Sequence, residues 1–536
     1  MMMDHPLLVT TMLNRAKKLF HKKEIFSRCL DKDHRITYRQ FYERVCRLAN
    51  VLKLLDIKPG DRVGSFAWNN HRHLELYFAV PCSGAVLHTI NLRLFPDQLV
   101  HVINHAEDKV IFIDEDLVPL LAPVADKLTT VEKFVVLSDK DELPEVALPH
   151  ALSYEKLLAK ASPAYDFPED LDENSPAAMC YTTATTGAPK GVVYTHRSIY
   201  LHAMMVALPD ALQVRERDSI LPIVPMFHVL SWGIPYAGVW MGSKLVLPGR
   251  LLTPEAICKL IEAEKVTLPV GVPTIWIGLH QHLQSGARYD FSSVVYIVNG
   301  GSAISKALIK SFYENYGIRV LHGSGMTETS PVVLISEPKS YMEQWDPDRR
   351  YAQQARQGLV VPGIEMKVVN EEGAEVKWDG REMGELCFKG PWVAASYYRD
   401  PERSAEAFLD GWLHTGDIVT IDEEGYIFIQ DRAKDLIKSG GEWISSIDLE
   451  NTIMGHPDVV EAAVIAIADE KWVERPLACV VLKETARGEI GEKDIIEFLK
   501  DKVAKWWIPD RVLFLEEIPK TSVGKFNKKE LRETYS

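Results

Sequence analysis

Apolar positions along the first third of the chain alternate between two rhythms. Phe41, Val45, Leu48, Ala49, Leu52 and Leu55 recur at helical spacing and predict an amphipathic helix. Pro59-Gly60-Asp61 ends that run, and Arg62–Ala67 is short and apolar enough for a strand. The order then repeats. His73–Ser83 is helix-like and Ala85–Ile90 strand-like; Leu99–His105 and Val110–Asp114 follow in the same sense. Glu255–Glu264 with Thr267–Val270, and the apolar run Val294–Val298, carry the pattern into the middle of the chain. Helix alternating with short apolar strand predicts parallel sheets covered by helices, an α/β fold. Gly411–Gln430 differs, because its aromatic and turn residues suit antiparallel strands. After the charged run Asp431-Arg432-Ala433-Lys434-Asp435, Val459–Ala468 and Leu477–Leu482 read as strands and Glu492–Val503 as a helix. The expected organisation is a large unit over 1–431 and a small α+β unit over 432–536, hinged at 431–435.

Composition narrows the class. A chain of 536 residues with 46% hydrophobic and 25% charged residues is ordinary for globular proteins and too long for one core. Its net charge of −14 weighs against a nucleic-acid partner, since phosphate neutralisation needs an excess of Lys and Arg. Seven widely spaced cysteines without a CxxC pair suit a reducing compartment and small buried thiols. The N-terminus has no basic region followed by an apolar core, so a cytoplasmic location is expected. Ser219–Ser243 lacks any Asp, Glu, Lys or Arg, yet Pro222, Pro225 and Pro235 interrupt it. A buried pocket wall is therefore expected there rather than a membrane span.

Four segments carry chemistry. Tyr181-Thr182-Thr183-Ala184-Thr185-Thr186-Gly187-Ala188-Pro189-Lys190-Gly191 crowds hydroxyls, glycines and one Lys after a strand candidate. Glycine admits close backbone approach to an anion, hydroxyls donate to it, and Lys adds charge. It is not a Walker A loop, because Lys190 follows Pro189 and no Ser or Thr comes next. In His322-Gly323-Ser324-Gly325-Met326-Thr327-Glu328-Thr329, the adjoining Thr327 and Glu328 offer hard oxygen ligands. Gly411-Trp412-Leu413-His414-Thr415-Gly416-Asp417 places an acid after a turn, where it is either a ribose acceptor or an Asx turn. In Pro519-Lys520-Thr521-Ser522-Val523-Gly524-Lys525, the final Lys is a candidate anion ligand.

In this order and spacing the four segments, with Asp-Arg-x-Lys-Asp at 431–435, resemble the adenylate-forming superfamily. That superfamily holds acyl-CoA synthetases, peptide-synthetase adenylation domains and beetle luciferases. The resemblance runs from Ile36-Thr37-Tyr38 to Lys525. Arg72-His73-Leu74-Glu75, Val224-Pro225-Met226-Phe227-His228-Val229 and Lys438-Ser439-Gly440-Gly441-Glu442-Trp443-Ile444-Ser445 are most similar to two bacterial groups: medium- and long-chain fatty acyl-CoA synthetases and methylmercaptopropionate-CoA ligases.

The resemblance implies helix-covered parallel sheets with a small barrel-like subdomain, then a small mobile C-terminal lid. It also implies an ATP-dependent acid–CoA ligase that uses ATP, Mg2+ and CoA, with no carrier of its own, and a homodimer. Thr182, Thr183, Thr185, Thr186, Gly187 and Lys190 would hold the β- and γ-phosphates, with Thr185 and Glu328 on magnesium. Gly300, Gly301, Ser302 and Gly323, Ser324, Gly325, Met326 with Thr327 would form the adenine side, and Asp417 and Arg432 the ribose contacts. Lys525 would act in adenylation, His228 near the carboxylate, and Trp232 and Gly233 at the acyl tunnel. Lys434 marks the hinge; Lys438, Gly440, Gly441 and Trp443 would serve thioester formation. Two positions depart from the superfamily pattern. Ala184 stands where Gly is usual, and Ser324 where an aromatic ring stacks on adenine, a loss of about 1–3 kcal/mol if stacking values transfer. The expected substrate is a medium- or long-chain fatty acid. Alternatives are 3-methylmercaptopropionate or another short acid, loading of a carrier protein, a non-catalytic nucleotide- or acyl-binding relative, and, more distantly, luciferase-type oxygenation.

Overall fold

The computed structural model describes residues 1–140, 146–182, 188–439, 442–469, 471–520 and 526–535. Its first sheet has seven strands in the order 151–153, 133–137, 108–114, 62–66, 86–89, 176–181, 191–195. All neighbours in it are parallel except the last pair, an antiparallel hairpin. The second sheet has nine strands, with a parallel centre of 319–325, 296–299, 268–271, 219–222, 244–247 and 24–28. Antiparallel strands 332–336, 359–360 and 33–37 complete it. The anticipated α/β pattern is thus present, with the expected helices at Tyr38–Leu54, His71–Cys82, Pro96–Ala106 and Pro254–Glu264.

Local chemistry explains the boundaries. The helix Tyr38–Leu54 starts at a reciprocal cap, in which the Gln40 amide donates to Thr37 Oγ1 and the Thr37 amide to Gln40 Oε1. The helix His71–Cys82 starts from Asn70, whose Oδ1 accepts the His73 amide. Every residue of this second helix is buried, Arg72 and Glu75 included. That burial is met by ion pairing. Arg72 donates to Asp139 and Glu155, and Arg44 donates to Glu75 and Glu155.

One side chain fastens the two large sheets. Asn69, just past strand Arg62–Phe66, donates from Nδ2 to the carbonyls of Pro222 (2.8 Å) and Val224 (2.9 Å). Its Oδ1 accepts the amide of Met226 at 2.7 Å. The loop that leads to His228 is therefore held from the opposite sheet.

A third sheet, of five strands, is antiparallel: 365–369, 384–389, 412–421 and 408–409, with 427–432 also paired to 412–421. It is the sheet anticipated from Gly411–Gln430. The chain then passes through 433–436 into a fourth sheet of strands 442–444, 437–439, 473–482 and 459–469, with 511–514 alongside 473–482. Arg432 still lies in the third sheet, opposite Asp417, so the change of sheet falls just after it. The helix expected over Glu492–Val503 stops at Leu499. A turn in which the Val503 amide donates to Leu499 O replaces its last residues, and Val503 packs on the small core all the same.

Ser219–Ser243 forms a strand, a buried turn and the helix Ile234–Met241. Among the described residues no helix is long and apolar enough to cross a membrane. Six cysteines are buried, Cys29 is half-buried, and all are free.

Asn69→Ala would remove three hydrogen bonds to buried backbone groups, at about 1–3 kcal/mol for each group left unpaired, while the Val224 carbonyl keeps the Ser231 hydroxyl as a partner. Thermal unfolding should therefore begin several degrees lower than in the unaltered chain. An unchanged midpoint would show that the two sheets do not depend on this clamp.

Candidate active site

The hairpin that ends the first sheet narrows to a neck. The Thr182 amide donates to Lys190 O (2.9 Å), and the Lys190 amide donates to Thr182 Oγ1 (3.2 Å). Thr183, Ala184, Thr185, Thr186 and Gly187 lie outside the described residues. Beyond the neck, Lys190 Nζ donates to the Tyr397 hydroxyl at 2.8 Å and sits 3.9 Å from its ring centroid. The Tyr397 hydroxyl in turn donates to Glu328 Oε1 at 2.7 Å. Burial pushes the Lys190 ammonium below the usual lysine range, opposed by the Glu328 charge. Burial and the same carboxylate push the Tyr397 phenol upward, so it stays a donor. Arg403 Nη1 donates to Ala188 O (2.8 Å), which adds a second cation beside the loop.

Glu328 is positioned by backbone on both sides. The Tyr194 hydroxyl donates to Thr327 O (2.8 Å), and the Ala394 amide donates to Glu328 O (2.7 Å). Thr329 Oγ1 accepts the Met326 amide at 3.0 Å. Gly325 admits no side chain, because a Cβ there would lie 1.8 Å from Pro331 O. Gly300 and Gly301 follow strand Tyr296–Asn299, and Gly323 lies beside them near the end of Arg319–Gly325. Both segments open at the carboxyl ends of parallel strands, where α/β sheets bind ligands. Ser302, exposed, donates to Gly301 O, while Ser324 is half-buried opposite Leu334.

Half-buried His228 leads into a turn that the sequence did not reveal. Val229, Leu230, Ser231, Trp232 and Gly233 have φ of 46°, 51°, 48°, 57° and 74°, a left-handed helical turn. Each L-residue in that conformation costs roughly 1–2 kcal/mol. Contacts offset this. Ser231 Oγ donates to Val224 O (2.9 Å), and the Trp232 ring lies against Gly300, where an added Cβ would meet it at 2.7 Å. Gly233 faces His202, whose Nδ1 lies 2.6 Å from where a Cβ would sit. The turn thus sets the Trp232 ring directly against Gly300 and Gly233 against His202.

Asp417 and Arg432 face each other across the antiparallel sheet, with Arg432 Nε 2.6 Å from Asp417 Oδ1. Arg432 Nη1 also donates to Thr415 O (3.2 Å). The Asp417 charge, and then Glu328, raise the Arg432 guanidinium still further above neutrality. Thr182, Lys190, Glu328, Asp417 and Arg432 therefore share one electrostatic neighbourhood. Lys438 and Trp443 form a separate pair, Nζ 4.1 Å from the indole, with Glu371 3.8 Å from the same ammonium. Gly440, Gly441 and Lys525 lie outside the described residues. Tyr397 and Arg403 were missed in the sequence, because Tyr397-Tyr398-Arg399-Asp400 reads as ordinary loop composition. Only the fold brings them to Lys190.

A strand-end nucleotide-type site beside a charged pair, followed by a separate small α+β unit, defines an adenylate-forming class of enzyme. The sequence profile of the AMP-binding enzyme matches residues 13–398, and that of the AMP-binding enzyme C-terminal domain matches residues 448–525. A long-chain-fatty-acid–CoA ligase of Thermus thermophilus is 46% identical over all of this chain and 96% of its own. A medium-chain-fatty-acid–CoA ligase of Ectopseudomonas oleovorans is 41% identical over 100% and 97%. A 3-methylmercaptopropionyl-CoA ligase of Ruegeria lacuscaerulensis is 40% identical over 100% and 98%. The fold matches the crystal structure of an anthranilate CoA ligase in complex with anthranoyl-AMP, with TM-score 0.87 and 24% identity over 99% and 98% of the two chains. The chain belongs to the AMP-binding enzyme family and, within it, to the AMP-forming acid–CoA ligases.

Tyr397→Phe keeps the ring under Lys190 and removes the hydroxyl bridge to Glu328. Hydrogen bonds to charged groups contribute about 1.5–3 kcal/mol, so ATP–pyrophosphate exchange should fall roughly 10- to 100-fold. Exchange at the unaltered rate would leave the bridge without a part in nucleotide handling.

Proposed function

We propose that this ligase activates an apolar carboxylic acid, a medium- or long-chain fatty acid, as its acyl-adenylate and passes the acyl group to CoA. The observation that carries the reading is the Lys190–Tyr397–Glu328 chain under the loop neck, beside the Arg432–Asp417 pair. In the first half-reaction a carboxylate oxygen attacks the α-phosphorus of ATP and pyrophosphate leaves. Both reactants are anions, so positive charge held in place lowers the barrier. Lys190, with Thr182, Thr183, Thr185, Thr186 and Gly187, grips the β- and γ-phosphates. Gly300–Ser302 and Gly323–Thr327 flank the adenine, and Asp417, oriented by Arg432, accepts the ribose hydroxyls. The buried carboxylate of Glu328 is a hard oxygen donor of the kind magnesium prefers, and with Thr185 it would hold that ion, which supplies charge neutralisation on the phosphates. Lys525 holds the oxygens of the acid and the α-phosphate together as a point charge, with His228 near the carboxylate.

In the second half-reaction the CoA thiolate attacks the acyl carbonyl and AMP departs. The small unit turns about Lys434, withdrawing Lys525 and presenting Lys438, Gly440, Gly441 and Trp443. Desolvation lowers the Lys434 ammonium below the usual lysine range although the residue is exposed. We take the protein to work as a homodimer.

A short acid such as 3-methylmercaptopropionate is the second reading. It is favoured by Trp232 lying closed against Gly300 and by how little space lies behind the turn, among Tyr194, His202, Leu230, Gly233 and Tyr236.

Release of AMP and pyrophosphate with ATP, magnesium and CoA should show one optimum across acetate, 3-methylthiopropionate, octanoate and palmitate. An optimum at octanoate or palmitate supports the first reading, and one at 3-methylthiopropionate the second. No release with any of them would remove both. Lys525→Ala should abolish adenylation while leaving thioester formation from supplied acyl-AMP largely intact. Equal loss of both halves would refute the assigned role. Lys438→Ala should show the opposite bias, and a matching drop in adenylation would argue against alternation of the small unit.

A further inference from the structure

Among the described residues, two groups of side chains away from the phosphate loop each bring three metal-ligating atoms within 4.8 Å of one another. The first is Cys29, His34 and Asp139. Its cation position is already filled, because Arg72 Nη2 donates to Asp139 Oδ1 (2.5 Å) and Nη1 to Cys29 Sγ (3.8 Å). The second is Glu385, Cys387 and His414 in the antiparallel sheet. There, no cationic side chain is hydrogen-bonded to the group among the described residues. Lys367, on the next strand opposite Cys387, carries its ammonium over the Trp412 ring, 4.7 Å from the centroid.

Strand geometry makes the second group. Glu385 and Cys387 are two residues apart and so project from one face of their strand. His414 is the direct cross-strand neighbour of Cys387, and the register shift between Glu385 and Cys387 lets both lean toward it. Cys387 Sγ is 3.5 Å from His414 Nδ1. A tetrahedral ion with bonds of about 2.3 Å to sulfur and about 2.0 Å to nitrogen needs an edge of roughly 3.5 Å between those atoms. Glu385 Oε2 lies 2.7 Å from the same Nδ1, a hydrogen-bond distance that must open by about 0.6 Å to reach the tetrahedral edge of roughly 3.3 Å. Glu385 and His414 are both half-buried, so the carboxylate has room to turn and a fourth position faces solvent. The other carboxylate oxygen, Oε1, already accepts the Gly416 amide at 3.0 Å, the type of outer contact that orients a metal ligand.

We infer that Glu385, Cys387 and His414 form a binding site for a borderline-soft divalent cation of the zinc class. Thiolate, imidazole and carboxylate together select zinc over magnesium. On binding, the cation takes Nδ1 of the neutral His414 imidazole, whose single proton then sits on Nε2. Cys387 releases its thiol proton to solvent, and water fills the fourth position. The site lies immediately behind Gly416-Asp417, so an ion there ties strand Gly384–Lys389 to the residues that hold Asp417. It stands apart from the magnesium assigned above and does not rest on the ligase reading.

Cobalt is the probe. Chelator-treated full-length protein titrated with Co2+ should develop a thiolate-to-cobalt charge-transfer band and intense tetrahedral d–d bands that saturate at one equivalent, with Zn2+ bleaching both. Cys387→Ser should lose the charge-transfer band and Cys29→Ser should keep it. His414→Gln should weaken cobalt binding at least tenfold, which provides a second reading if Cys387→Ser folds poorly. No charge-transfer band in the unaltered protein, or one that survives Cys387→Ser, or one that disappears with Cys29→Ser instead, would overturn the proposal.

Discussion

A half-buried lysine, a buried phenol and a buried carboxylate are joined in sequence: Lys190 donates to Tyr397, and Tyr397 donates to Glu328. The three come from a hairpin, a loop between two strands of the antiparallel sheet, and a turn between two strands of the nine-stranded sheet. Each satisfies the polar atoms of its neighbour, and a buried polar group left unpaired is costly. Their mutual satisfaction draws three separate sheets to one point. Arg432 and Asp417 extend the arrangement by alternating charge, so the site has cations to meet phosphates without stacking positive charge unrelieved in the interior.

Two further devices keep that point rigid. Asn69 spends every hydrogen-bonding atom of its amide that meets the facing sheet on the loop before His228. The left-handed turn that follows is unfavourable residue by residue and persists because Ser231, Trp232 and Gly233 each have a seat that another conformation would not reach. Strain of this kind collects where a side chain must be aimed. Here the aimed side chain is Trp232.

Much of the fold was legible beforehand, for a physical reason. The helices at 38–54 and 254–264 carry one-sided apolar stripes, and the strands at 62–66 and 108–114 are short apolar runs bounded by turns, so local pattern and final state agree. The antiparallel strands around Trp412–Ile421 were also visible from their aromatic and turn content. Glu328, Asp417 and Arg432 stand out as candidates in the sequence because their motifs sit in recognisable order. Tyr397 and Arg403 do not, since nothing local marks a loop tyrosine as the partner of a lysine two sheets away. The left-handed turn was invisible too: Val229-Leu230-Ser231-Trp232 contains no glycine, and its conformation is imposed by packing rather than by propensity.

The seat of Trp232 has an implication for order of binding. Its indole rests on Gly300, the first residue after strand Tyr296–Asn299, so on the function proposed above a single contact touches both the acyl and the adenine halves of the cleft. An acid tail that pushes the ring aside must also release, or reshape, the ledge beneath it. Thermodynamic reciprocity then makes the two ligands mutual effectors: whatever factor the tail contributes to nucleotide affinity, the nucleotide returns to the tail. Discrimination among acids would in that case be expressed partly in how tightly ATP is held, at a distance from any atom of the acid itself.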